Sequence, residues 1–563
     1  MKNFLDGLTK RIAAEFENAT DTYFNGTEQE VIQEEIQKTR ELLRTLKNIP
    51  PIIGGKEIST STRAEAKNPS CTTEILGNIS YVGEREAGGA IEIIKTSASS
   101  KKWRRMSCTE RSRVIDTAAD IIESKRRFFI ALMILEVGKH PEDADKEVSE
   151  AVDFLRLYAA QARMKEDIAR KSIISPAGEK NTVILGPAEE PAICLSIQPW
   201  NFPLAISAGP MAAALVSGYS VLYKPAEESS LVGYFLTKFM HEAGVPKDVL
   251  HFLPGKGEVV GAYLVTHKDV KVICFTGSSS VGRMIEREVS KFNLDILPTL
   301  PRTERYRKRI ATMETGGNNV LIVDSSADRT EWLRGVLRSA FSFAGQKCSA
   351  LQRVIFVDNR RRFYEVAAGD LKEAIQEILV GSPEDFGVFY GPVISQSAYE
   401  RIITIRETAR KLGAQITQGV LKKNAGEGYF IPPFLIEGLP NDHELVQGEL
   451  FGPGLFLLRA STIEEAVEMA NDTEYGLTGG ICSKIPAHIK YVQDNLVVGN
   501  GYGNKPIVGA RVLCQPFGGL KESGGFGFKA GGISYLDNFL REARVFSENT
   551  MRQGVCLLPL DPR

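Results

Sequence analysis

From about residue 182 the chain alternates short apolar, β-branched runs with helix-like stretches: TVILGP, AICLSIQP, SVLYKP (220–225) and VKVICFTG (270–277). Near-continuous apolar strands separated by helices predict a parallel sheet covered on both faces. A second α/β pattern begins at NNVLIVD (318–324). It continues through a helix over 330–344, the strand RVIFVD (353–358), a helix over 361–380 and strand-like segments to about 500. Upstream, VIQEEIQKTRELLRTL has helical periodicity, ended by Pro50-Pro51. IIGGKEIS (52–59) predicts a hairpin turning at Gly-Gly, and 86–166 predicts amphipathic helices punctuated by Gly138 and Pro141. The segment 290–310 carries two prolines and the basic run RTERYRKR, and is expected to be a surface insertion with a solvated charged face. The tail from 535 is expected to be an extended arm, and 547–563 irregular.

The 563 residues make room for three or four domain-sized units. The 69 basic and 70 acidic side chains nearly cancel, so no global electrostatic case exists for nucleic acid or an anionic membrane. Eight scattered cysteines with no C-x-x-C pair suit neither a disulfide scaffold nor a zinc site. No metal is expected, and a reducing, cytoplasmic compartment is. The longest apolar run, Phe128 to Val137, is far short of the ~20 residues of a spanning helix, and the N-terminus has no continuous apolar signal core.

Five segments could carry chemistry, and each has a plain structural alternative. In FTGSSSVGRMI (275–285) a strand meets a helix at a Gly-rich turn. Its backbone N–H groups, around Gly277, Ser278 and Gly282, suit a pyrophosphate. The G-x-x-x-x-G spacing is neither the usual dinucleotide fingerprint nor a P-loop, and a tight connection explains it equally well. In VLYKPAEES, Lys224 ends a strand and Glu227 follows. An acid there can accept both ribose hydroxyls and repel a 2′-phosphate, yet an ordinary surface turn reads the same. In IQPWNFPL (197–204), Gln198, Trp200, Asn201 and Phe202 sit at a strand end. The Asn201 amide is the donor type an oxyanion hole needs, or the segment is a turn around a core Trp. In FAGQKCSA, Cys348 lies in a polar, accessible loop and is a candidate nucleophile, whereas Cys194 and Cys274 lie in apolar strands as inert core thiols. METGG places Glu314 just before a strand, as a general base or a surface acid.

Together, PWNFP, KPAE, FTGSSSVG, METGG, GQKCSA, GELFGP and PFGG occur in the order found in the NAD(P)-dependent aldehyde dehydrogenase superfamily, with 34 residues from Glu314 to Cys348. The resemblance covers roughly 50–545. It implies an α/β fold with a Rossmann-type NAD-binding domain, an α/β catalytic domain and a small oligomerisation arm. The expected boundaries are an N-terminal helical extension over 1–50 and an NAD-binding domain over 51–314, with an oligomerisation hairpin near 171–189. A catalytic domain over 315–510 follows, and 511–563 holds a substrate-anchor loop, the oligomerisation tail and the C-terminus. The resemblance further implies Cys348 as nucleophile, Glu314 as base and Asn201 as oxyanion donor. Gln198, Trp200, Lys224, Glu227, Gly277, Ser278, Gly282, Glu449 and Phe451 would hold the cofactor. Glu227 favours NAD over NADP.

Within that superfamily the chain is similar to the branch that oxidises L-glutamate γ-semialdehyde. EVSEAVDFLRLYA (147–159), METGG, the 290–310 segment and GFGFKAGGISYLDNF (525–539) carry this likeness. It implies that backbone N–H groups of Gly531 and Gly532, with the Ser349 hydroxyl, anchor a substrate carboxylate, and that Phe202 and Phe539 sandwich its aliphatic chain. The LKESGGFG stretch (520–527) departs from that branch. Partners implied are a small-molecule substrate, a homodimer or larger homo-oligomer and a transient proline dehydrogenase; no nucleic acid or membrane is expected. Two alternatives stay open: an enzyme for another semialdehyde or an aliphatic aldehyde, and a non-catalytic binding protein of the same fold.

Overall fold

The computed structural model describes residues 18–19, 26–170, 179–187, 190–301, 308–358, 363–423, 425–525, 527–540 and 542–549. Its frame is two sheets of mostly parallel strands. In the first, Ile193–Ile197 is central. Val270–Thr276 and then Ile310–Glu314 lie on one side, and Ser220–Lys224 and then Leu250–Phe252 on the other, all parallel. Ser220–Lys224 is buried at every position, as a sheet covered on both faces requires. The expected hairpin is present: Ile52–Ile53 pairs antiparallel with Lys56–Glu57 and joins the edge where Ile52 faces Phe252. Chain order reverses between Ile193–Ile197 and Val270–Thr276, the point where open α/β sheets bind ligands beyond their strand C-termini.

In the second sheet Asn319–Asp324 is flanked by Leu351–Val357 and Thr478–Cys482. Gly454–Ala460, Phe434–Glu437 and the antiparallel Gln415–Gln418 extend one side, and Asn500–Gly503 the other. A separate hydrophobic core spanning Val320 to Ile507 packs around this sheet. The helices Cys108–Ser124, Arg126–Val137 and Pro141–Arg170 cover one face of the first sheet in a core shared with Tyr535, Leu536 and Phe539 of the tail, and Glu84–Thr96 packs on the other face. Among the described residues no helix is long and apolar enough to cross a membrane.

Four expectations change. TVILGP does not enter the parallel sheet: Glu179–Leu185 pairs antiparallel with the tail strand Glu542–Asn549 as a two-stranded ribbon. The first part of the expected hairpin, 171–178, lies outside the described residues, as do 1–17, 20–25 and 550–563. The N-terminal helix, Gly26–Leu46, stops before the prolines, because Asn48–Ile49 forms a short strand beside Asn78–Ile79. Residues 60–85, which gave no sequence signal, hold the antiparallel pair Arg63–Asn68 and Cys71–Ser80. Finally, the described parts of 290–310, residues 290–301 and 308–310, are only partly a surface segment, and most of the basic run, 302–307, lies outside the described residues. Phe292 is buried, and the Arg309 guanidinium stacks on its ring at 3.8 Å while donating to the carbonyls of Val265, His267 and Val270. The last residue of the basic run is therefore a buried clasp; charge in a sequence does not show the carbonyls that will satisfy it.

Candidate active site

A cavity of about 830 Å³ lies where the strand C-termini of the first sheet face the strand N-termini of the second. The loop carrying Cys348 enters from the second sheet. Helix Arg329–Phe341 stops at a tight turn in which Phe343, Ala344 and Gly345 have φ of 52°, 54° and 66°. A Cβ on Gly345 would sit 2.3 Å from the Gly452 carbonyl oxygen, so both the backbone and the space require glycine there. Cys348 follows, its carbonyl held by Asn319 Nδ2 at 2.7 Å, and strand Leu351–Val357 begins three residues later.

Cys348 keeps part of its surface open to the cavity. Burial pushes its thiol up to about 12, and the carboxylates of Glu314 and Glu449 push the same way against the Ser349 backbone N–H. The thiol is thus protonated at neutral pH and needs a base to attack. Glu314 lines the same cavity. It is the last residue of strand Ile310–Glu314 rather than a residue preceding a strand. One carboxyl oxygen, Oε2, is buried with no hydrogen-bond partner. Burial raises this carboxyl to about 8, while the Gly519 N–H and the Lys529 ammonium pull it down. A carboxyl poised there exchanges protons near neutrality. Asn201 follows strand Ile193–Ile197 and reaches across, its Nδ2 donating to the Gln346 carbonyl at 3.1 Å. That ties it to the nucleophile loop and leaves its second amide hydrogen.

Trp200, Gly277, Ser278, Glu449 and Phe451 line one end of the cavity. Ser278 caps helix Ser279–Lys291 by accepting the Val281 N–H at 3.4 Å, which leaves the start of the helix as an anion site. Gly282 lies behind it: a Cβ would come within 2.8 Å of Thr315 Cγ2, so this glycine lets the helix close on the chain beyond Glu314. Glu449 accepts the Gly317 N–H at 2.9 Å, and Phe451 meets Trp200 edge-on at 5.7 Å. Lys224 and Glu227 sit outside the cavity wall. Lys224 is buried, its Nζ donating to the Pro225 carbonyl at 3.1 Å, and burial lowers its pKa against the pull of Glu227, Glu228 and Glu258. Glu227 accepts the Gly257 N–H at 3.1 Å. Gln198 does not reach the wall; its amide donates to Ser196 Oγ at 2.9 Å, inside the sheet. Cys194 and Cys274 are buried in the strands, as expected, and Cys274 touches the cavity.

At the other end Phe202 and Ser349 line the wall, but Gly531, Gly532 and Phe539 do not. The Gly531 N–H donates to Tyr158 Oη at 2.9 Å and the Gly532 N–H to the Lys529 carbonyl at 3.1 Å. Phe539 follows the turn Tyr535–Asn538, which sets it against Tyr535 with ring centroids 5.6 Å apart in the core. Phe154, Phe517, Phe528 and Tyr535 are among the rings that line the cavity with Phe202. The sequence reading missed a further wall, namely Asp143, Glu147, Glu150, Phe154 and Tyr158 on helix Pro141–Arg170. Their spacings of four, three, four and four put them on one helical face. Acids and aromatics on that inward face were the available signal. Burial raises the Glu150 carboxyl to about 8, and Glu147 pushes it the same way. Lys347, beside the nucleophile, donates to Asp143 Oδ1 and to Ser342 Oγ, both at 3.0 Å.

A thiol, a carboxyl and an amide donor meet around one cavity between two α/β sheets. The chain belongs to the aldehyde dehydrogenase family, whose family model matches residues 57–545. It is 36% identical to the 1-pyrroline-5-carboxylate dehydrogenase of Geobacillus sp. (strain WCH70) over 491 residues, 87% of this chain and 91% of that one. A Thermus 1-pyrroline-5-carboxylate dehydrogenase with bound NAD superposes with a TM-score of 0.85 at 34% identity, covering 95% of this chain and 99% of the other. Proline utilization A from Bdellovibrio bacteriovorus superposes with a TM-score of 0.85 at 35% identity over 96% of this chain, which spans 54% of that longer protein.

Proposed function

We propose that the protein oxidises L-glutamate γ-semialdehyde, the open form of Δ1-pyrroline-5-carboxylate, to L-glutamate with NAD, in proline catabolism. The observation that carries this reading is the convergence of Cys348, Glu314 and Asn201 on one cavity that Glu150, Lys347 and Ser349 also line. Those three groups offer a carboxyl, an ammonium and a hydroxyl to the head of an amino acid.

The residues present fit a dinucleotide. The start of helix Ser279–Lys291 suits the pyrophosphate, Glu227 and Lys224 the adenosine ribose, and Glu449 the second ribose. Glu227 would repel a 2′-phosphate, which favours NAD. NAD, when bound, supplies the acceptor for the hydride that leaves the substrate carbon. The Cys348 thiol gives its proton to water in the cavity, and Cys348 Sγ bonds to the aldehyde carbon. The Asn201 amide and the Cys348 backbone N–H hold the oxyanion of the thiohemiacetal. Loss of hydride from that carbon leaves a thioester on Cys348. Glu314 then takes a proton from water, which attacks the thioester; the C–S bond breaks, and glutamate departs.

The carboxylate anchor is read onto Ser349 and the N–H groups of Gly531 and Gly532, with the substrate oxygen replacing Tyr158 Oη as acceptor at Gly531. The need for that exchange favours one second reading: an aliphatic aldehyde, which needs no anchor, could occupy the same cavity. The ribbon of Glu179–Leu185 and Glu542–Asn549 exposes Val545 and Phe546 at about 60% of their surface. An unpaired apolar edge of this kind supports a homodimer or larger assembly. A proline dehydrogenase would be the transient partner supplying the substrate. Seven described cysteines are free thiols, which suits the cytoplasm.

The test is NADH formation with Δ1-pyrroline-5-carboxylate and with propanal. The expected kcat/KM ratio is at least about 10², the discrimination given by a lost set of charge-assisted hydrogen bonds. Equal turnover of propanal would replace the assignment with the second reading.

A further inference from the structure

The Asn201 side chain is tied to the nucleophile loop through Gln346, but something must also fix its backbone. Helix Arg126–Val137 ends at the left-handed Gly138, and helix Pro141–Arg170 begins three residues later. Between them Lys139 turns inward and is completely buried. An ammonium has three N–H groups and no acceptor. Lys139 Nζ donates to Glu147 Oε2 and, at 2.5 Å, to the backbone carbonyl of Asn201. It also lies 3.9 Å from the Phe202 ring centroid and 4.6 Å from that of Phe343. Glu147, equally buried, spends its other oxygen on the N–H groups of Leu204 (2.8 Å) and Ala205 (3.2 Å), at the start of helix Ala205–Val216.

We propose that the buried Lys139–Glu147 pair is a positioning device for the oxyanion donor: it holds the 201–205 segment at both ends and sets the ammonium against the rings of Phe202 and of Phe343 in the turn before Cys348. The inference rests on reading Asn201 as that donor. One ion pair thereby joins three pieces of chain: the 141–170 helix, the Asn201 loop and the turn before Cys348. A buried pair is rarely the most stabilising choice for a core, since apolar side chains of equal volume often do as well. Its directional contacts are what an apolar pair could not supply. Lys347, paired with Asp143 and 6.0 Å from Phe202, is the nearest other ammonium and makes no bond to the Asn201 carbonyl.

The test is a double-mutant cycle on kcat/KM for the aldehyde, using the full-length enzyme. Asn201→Ala alone should lower it by ~10²–10³-fold. Lys139→Met in the wild-type background should lower it by roughly 10–50-fold, but by less than ~3-fold in the Asn201→Ala background, because the loss passes through Asn201. NAD affinity, read by protein fluorescence, should stay unchanged. Removing one partner leaves a buried charge, so Lys139→Met/Glu147→Leu is run in parallel. It should fold and show the same non-additive loss. Equal losses in both backgrounds would overturn the proposal and leave a merely structural pair, and full activity of the double apolar variant would overturn it too. No effect of Asn201→Ala would instead remove the oxyanion reading, and the proposal with it.

Discussion

The two sheets meet the cavity with opposite ends. The first offers strand C-termini: the turn after Ile197, the turn after Thr276, and Glu314. The second offers strand N-termini: Cys348 and Ser349 before Leu351, Glu449 and Phe451 before Gly454, and Gly316 before Asn319. Beyond strand C-termini, helices begin and expose N–H groups, so that side suits anions and sugars. Before strand N-termini a chain must turn sharply into the sheet, and the run of Phe343, Ala344 and Gly345 in left-handed backbone is one such turn. The first sheet thus offers binding surface, whereas the second holds the thiol rigidly at the boundary. METGG crosses from one to the other, so Glu314, the proposed base, ends the first sheet a few residues before the second begins.

This division predicts different kinetic signatures. Glu314→Gln should break the boundary itself. Thioester hydrolysis should fall by ~10²–10⁴-fold, and a rapid-mixing experiment should show steady turnover lost first. Glu227→Ala, on the binding side, should raise KM for NAD by roughly 10-fold, the worth of one or two hydrogen bonds, narrow the preference over NADP, and leave kcat nearly unchanged. A large fall in kcat would blur the distinction between the sheets. The smallest effect is electrostatic. With Glu314 near 8, deacylation should rise with pH through that region, because the ionised carboxylate is the active form. The Lys529 ammonium favours the ionised form, so Lys529→Met should move the midpoint of the rate profile upward. A downward shift would contradict that arrangement.

The sequence showed the two α/β patterns, the Gly-Gly hairpin and the three residues that converge at the boundary, because periodicity and ordered motifs are local properties of the chain. It did not show Asp143, Glu147, Glu150 and Lys139, since their role depends on which helix face packs over the cavity. It placed Glu314 before a strand because the edge strand Ile310–Glu314 is short, half-buried and preceded by a charged run. Gln198 and Phe539 carried motif weight but point into sheet and core; a motif fixes the backbone position, whereas packing decides where the side chain goes. Arg309 gave the same lesson in reverse, a charge read as solvated that the fold buries on three carbonyls.

The most direct test of the account traps the covalent intermediate. Glu314→Gln enzyme is mixed with NAD and Δ1-pyrroline-5-carboxylate, quenched in acid and analysed by peptide mass spectrometry. The account predicts a glutamyl group as a thioester on the peptide containing Cys348, near one per active site. A glutamyl group on another residue, or NADH formed without any adduct while turnover has stopped, would contradict it.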